Sequence, residues 1–167
     1  MAEPAKIIEL TDDHIVATWQ NVVILVWKRE TTTAALDALR KAHDQVAAKH
    51  EGAVFLLTIV EERAPMPPSA TRDALAGFLK MLERSVELSA VVHEGAGFRA
   101  AAVRSVVTGV SLVARLPYPH KVFATVAEAA AWFGPNSRRN LKAWHPKALI
   151  DSVAELRARA AAEPSPR

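Results

Sequence analysis

Apolar and polar positions follow two rhythms along this chain. Residues 14–19 (HIVATW) and 22–27 (VVILVW) flank the polar pair Gln20-Asn21, which predicts a β-hairpin. The second run is apolar at every position, as an interior strand covered on both faces requires. Residues 54–60, apolar but for Thr58, and residues 88–92, apolar but for Ser89, predict two more strands. A shorter apolar run at 7–10 precedes the hairpin, and residues 121–123 predict a short last strand.

Between the strands the spacing lengthens to that of a helix. Leu36, Leu39, His43 and Val46 make one face of a helix running to about Lys49, with Thr31, Thr32 and Thr33 offering caps and Gly52 a stop. His43, on that apolar face, reads as a satisfied or boundary histidine. After the prolines at 65, 67 and 68, Ser69 is placed to cap a helix whose core side carries Leu75, Phe78, Leu79 and Leu82. A third helix over 98–115 turns Val103, Val106, Val107, Val110 and Val113 inward. Thr125 predicts the cap of a fourth, and Gly134-Pro135-Asn136-Ser137 predicts its stop. Residues 146–162 form one more helix, with Pro146 in its first turn.

This order predicts an α/β sandwich over residues 1–134 and a helical extension over 135–167 with a frayed end. The extension takes the basic charge with it. From Arg138 onward there are seven basic residues and three acidic ones, so the preceding 137 residues hold 14 basic and 15 acidic side chains. A fold built for nucleic acid carries its positive charge as a patch on the domain, so no specific nucleic-acid binding is expected. Arg138, Arg139, Lys142, Trp144 and Lys147 could meet an acidic partner or an anionic surface. The simpler reading folds the extension back on the domain, with Trp144 as anchor. Cysteine is absent, which removes disulfides, thiolate metal sites and a cysteine nucleophile. The opening MAEPAKIIEL has no signal-peptide character and no apolar run approaches membrane-spanning length, so a cytoplasmic location is expected.

The opening hairpin into VVILVWKRETTTAALDAL, the strand GAVFLLTIV and the closing HKVFATVAEAAAWF together resemble the SpoIIAA-like group, relatives of the STAS domains of anti-sigma-factor antagonists. The likeness covers roughly residues 7–134. It implies a mixed sheet of four to five strands with helices mainly on one face, and often a homodimer. STAS switch proteins are phosphorylated on a hydroxyl at the start of the helix after the third strand. The matching place here is PMPPSATRDAL, where Ser69 and Thr71 are the available phosphoacceptors and proline replaces the usual aspartate. Helix capping accounts for Ser69 without any switch.

Few other residues offer chemistry. The turn HEGAGFR brings His93, Gly95, Gly97 and Arg99 to a strand-to-helix junction that could hold an anion or ligand, although it lacks the third glycine of a dinucleotide fingerprint and the Gly-Lys-Ser/Thr of a P-loop. His93 beside Glu94 is the one local acid–base pair in an expected loop, and with Arg99 it could serve a phosphate-handling enzyme. Arg104, Thr108, Ser111 and Arg115 recur along one helix face, a polar stripe able to contact a partner. The six histidines show no metal-ligand spacing. The residues therefore predict a non-enzymatic regulatory or scaffolding module, with no cofactor and no metal, acting on a protein partner. The alternative is a carrier or sensor of a small apolar or anionic ligand held between helices and sheet, in a cleft opened by small residues such as Gly77, Ala100 and Gly109.

Overall fold

The chain was analysed as a computed structural model that describes residues 3–136 and 145–163, with backbone alone for 106 and 109–114. Among the described residues, six strands join one sheet in the order in which they occur in the chain. β1 (Lys6–Leu10), β2 (His14–Trp19) and β3 (Val22–Trp27) form an antiparallel meander. β4 (Val54–Val60), β5 (Val86–His93) and β6 (His120–Phe123) then add in parallel to β3. The hairpin turn falls on Gln20 and Asn21, with Gln20 at φ 48°. Asn21 also reaches beyond the turn: its side chain donates to the Ala53 carbonyl at 3.1 Å and its own carbonyl accepts from Phe55 N, which seats the start of β4.

Five helices connect or follow the strands: α1 (Ala35–Lys49), α2 (Ser69–Met81), α3 (Gly97–Ala114), α4 (Val126–Asn136) and α5 (Pro146–Ala162). Alternate side chains of each strand serve opposite faces, and the two faces have separate cores. On the first, Val16, Val23, Leu25, Leu56 and Val86 meet Leu39, Ala42 and Val46 of α1 and Phe78 of α2. On the second, Ile15, Ile24, Phe55, Leu57, Leu88 and Ala90 meet Ala129, Ala130 and Phe133 of α4 and Leu149, Val153, Leu156 and Ala160 of α5. Phe55 and Phe133 stack there with ring centroids 5.0 Å apart.

The α/β class matches the reading of the sequence, and two details of it change. The sheet has six strands where four to five were expected, because Lys6–Leu10 pairs along β2 as a full strand. The helices cover both faces, since α4 and α5 bury an apolar stripe against the side opposite α1 and α2. The apolar residues of α5 fall at 149, 153, 156 and 160, the spacing of one helix face.

Capping departs from expectation at two helices. Pro68 is the N-cap of α2, Ser69 is its first helical residue, and no side chain closes that end. Ala34 is the N-cap of α1, also without a side-chain bond, while Thr31 is buried instead. Thr125 does cap α4: Glu128 N donates to Thr125 Oγ1 at 3.2 Å, and Glu128 Oε2 accepts from Ala124 N and Thr125 N. That reciprocal pair is a capping box. α4 is helical through Asn136, the last described residue before 145, so Gly134 and Pro135 of the expected stop lie within it; the Asn136 side chain donates to Trp132 O at 2.7 Å.

Candidate functional site

On the first face the helices do not close completely over the sheet. A cavity of about 200 Å³ remains between the carboxyl halves of the parallel strands and the helices above them. Leu25 and Trp27 of β3, Thr58 and Val60 of β4, and Val91 and His93 of β5 form its floor, with His120 of β6 at one side. Leu39 of α1, Leu75 and Phe78 of α2 and Val107 of α3 roof it, and Pro65, Met66 and Pro67 form a rim. The floor follows from the alternation of each strand, which sends residues 58 and 60, or 91 and 93, to the same face. The prolines hold the loop before α2 extended, so no side chain of that loop fills the gap.

Five polar side chains face this otherwise apolar space. Thr31, free of any capping duty, lines it beside Thr58. Arg72 reaches in from the first turns of α2, and its Nε is buried without an acceptor. His120 Nδ1 is bonded to Ser89 Oγ at 2.9 Å, and burial pulls the His120 pKa down from 6.5 to about 4. Burial also lowers the pKa of His93, helped by the charge of Arg104 and moderated by the nearby backbone of Glu94. No group meets hydrogen-bond geometry at His93 Nδ1. Both imidazoles are therefore neutral near pH 7. Tyr118 donates to Leu79 O at 2.9 Å and ties the end of α2 to the loop before β6, with burial pushing its phenol pKa up.

The residues picked from the sequence scatter around this cavity. His93, Arg99 and the backbone near Gly95 border a second, open cleft together with Glu62, Arg63 and Glu94. Gly95 and Gly97 have φ of +125° and +89°, and a Cβ on Gly95 would lie 3.1 Å from Glu62 Cγ, so the turn itself requires glycine. Arg104 Nη1 donates to the carbonyls of His93 and Gly95 at 3.1 and 3.2 Å. One end of the expected partner stripe is thus turned inward to brace this turn. Thr108 is exposed and bonds back to Arg104 O, and Arg115 is exposed at the left-handed end of α3. The Ser111 side chain lies outside the described residues, as do Arg138, Arg139, Lys142 and Trp144. Ser69 is exposed and Thr71 half-buried.

His93 and Glu94 do not form an acid–base pair. Being adjacent on the strand end they point to opposite faces, and Glu94 turns to α5. There Arg157 Nη1 and Nη2 donate to Glu94 Oε1 and Oε2 at 2.6 and 2.8 Å, and Nη2 also reaches Glu61 Oε1 at 3.0 Å. Bidentate bonding to Glu94 raises the Arg157 pKa against its burial. Arg159 donates to Ala5 O at 2.9 Å. Part of the basic charge of the extension is thus spent inside the fold. His43 is buried and bonded, to Ser85 Oγ at 2.6 Å and Asp44 Oδ1 at 3.0 Å.

The cavity lies between helices and sheet, but its cause differs from the expected one. Gly77 is exposed and Ala100 is buried elsewhere; the proline rim and the spacing of α1, α2 and α3 leave the space open. Arg72 and His120 carried no sequence signal of their own. No group of three or more potential metal ligands occurs among the described residues. Nor is any described helix long and apolar enough to cross a membrane. No protein family, no curated protein and no solved structure matches the chain.

Proposed function

We propose that this protein binds a small, mainly apolar ligand in the cavity under α1, α2 and α3, and that it acts as a carrier or sensor with no chemistry of its own. The cavity carries this reading. An apolar space of about 150 Å³ already accepts benzene, and this one is about 200 Å³ with few polar groups on its wall. Such sites characteristically combine an apolar lining with a small number of placed polar groups. Toluene is a suitable probe, followed by ligand-observed NMR and by the shift in Tm. Binding in the wild type and its loss in Ala76→Leu, which adds bulk to the wall, is the expected result. If toluene does not bind and no small molecule co-purifies with the protein, the reading fails.

A second reading, that of a STAS-like regulatory or scaffolding module working through protein contacts, is favoured by Phe98. This side chain is 91% exposed at the start of α3, with Ala101 and Ala102 also exposed beside it. Parallel strands taken in chain order, with α1 and α2 on one face, support the STAS-like kinship. Sedimentation equilibrium on wild type and Phe98→Ser tests the homodimer form of this reading: self-association that depends on Phe98 supports it, and a monomer in both cases opposes it.

A further inference from the structure

We infer that the ligand of this cavity is a small monocarboxylate, an aromatic or branched aliphatic acid whose carboxylate is held by Arg72; the inference rests on the cavity reading above. Arg72 is the starting observation. It is half-buried in the cavity wall, and its side chain makes no hydrogen bond or ion pair among the described residues. Its Nε has neither water access nor an acceptor. Every other buried or half-buried arginine for which contacts are described here is engaged: Arg104 with two carbonyls, Arg157 with two carboxylates, Arg159 with one carbonyl.

No aspartate or glutamate lines the cavity. Arg72 Nε therefore meets this apolar lining as a buried donor with no acceptor, an arrangement that costs free energy until an acceptor arrives. Other charges nearby do not relieve it. Arg104, which is also positive, is close enough to act on His93. His93 and His120 are neutral and add no further cation. One cation with no balancing anion matches a ligand of single negative charge. The planar guanidinium fork suits a carboxylate, which it can bind through two parallel bonds. The remaining wall, from Trp27 to Val107, is mainly apolar, broken by Thr31, Thr58 and the two neutral imidazoles. With about 200 Å³ available, that body is limited to a ring with a short chain or its aliphatic equivalent.

The test compares two isosteric probes, 3-phenylpropanoate and neutral 3-phenylpropanamide, by titration calorimetry at pH 7.5 against wild type and Arg72→Gln, with toluene as a third probe. In the wild type the acid binds at least tenfold more tightly than the amide. In Arg72→Gln the acid falls to the affinity of the amide, and toluene binding is unchanged within about twofold, an effect of the size expected for one charged hydrogen-bonded pair. Equal affinity of the wild type for acid and amide overturns the inference, and needs no variant to be read. Equal weakening of all three probes by Arg72→Gln also overturns it, because the arginine would then be shaping the wall. Toluene binding without binding of either phenylpropanoid likewise refutes the acid class and leaves the cavity reading standing. If toluene fails as well, the cavity reading falls and takes this inference with it.

Discussion

Replacing His120 with glutamine should change how the stability of the protein depends on pH. The imidazole is half-buried beside Ser89 and its desolvation holds the pKa near 4, while in the unfolded chain it returns to 6.5. Above pH 6.5 both states are neutral there and the group contributes nothing to the slope. Between pH 6.5 and about 4 the unfolded chain takes up a proton that the native state refuses, so stability falls as pH falls. At 1.36 kcal/mol per unit, the interval from 6.5 to about 4 amounts to about 3 kcal/mol. Glutamine cannot titrate. It should cost about 1 kcal/mol at pH 7.5 through imperfect replacement of the ring and its bond to Ser89. The variant should then overtake the wild type as pH drops, ending about 2 kcal/mol more stable near pH 4. Urea unfolding monitored by tryptophan fluorescence, repeated at half-unit steps from pH 7.5 to 4, measures this directly. His93 is shifted in the same direction and steepens both curves alike, so the difference between them isolates His120. Parallel curves for wild type and variant would refute the reasoning.

Leu156→Ala, at a position with no solvent exposure in α5, should cost about 2–5 kcal/mol in chemical denaturation; a cost below about 1 kcal/mol would mean that α5 is not part of the core. Arg157→Met leaves Glu61 and Glu94 facing each other without their shared partner. A loss of about 1–2 kcal/mol is expected for this partly exposed network, shrinking in high salt, and can be followed by the shift in Tm. The glycines should respond in opposite directions. Gly95→Ala meets both a φ of +125° and a contact at 3.1 Å and should lose about 1–3 kcal/mol, whereas Gly77→Ala, in open space on α2, should gain about 0.5–1 kcal/mol.

Strands buried on both faces were the most legible parts of the fold. β3 is apolar at every position and β4 at all but Thr58, and no helix of that length fits between their polar flanks. β1 is harder to see because Lys6 and Glu9 interrupt it; what makes it a strand is its hydrogen bonding along β2, which leaves little trace in side-chain type. The α5 helix was legible from Pro146 onward, yet nothing in its sequence could say that it covers the same face of the sheet as α4. Capping failed at Ser69 and Thr31 for a common reason. A hydroxyl near a helix start has other places to go, and Pro68 and Ala34 occupy the capping positions instead. The His93–Glu94 pair shows what alternation can exclude, since neighbours on a strand end look to opposite faces. The cavity was legible only as a possibility. Trp27, Arg72, His93 and His120 come from four separate elements, and a void is the sum of small misfits among residues distant in the chain.

The cover on the second face bears on how the chain is made. The sheet residues Ile15, Ile24, Phe55, Leu57 and Leu88 emerge from the ribosome well before the residues of α4 and α5 that shield them. Synthesis of the stretch from Ala124 to Leu156 takes roughly 2–7 s at about 5–20 residues per second. For that interval the nascent sheet can be assembled, strand beside strand in order of appearance, with one broad oily side bare to water. A chain stopped at Gly134 would have α4 but lack α5, and would keep bare for good the part of that side that Leu149, Val153, Leu156 and Ala160 cover. Premature termination should therefore produce material that clumps or stays with holding chaperones, whereas the full-length product buries the same surface as its last act of folding.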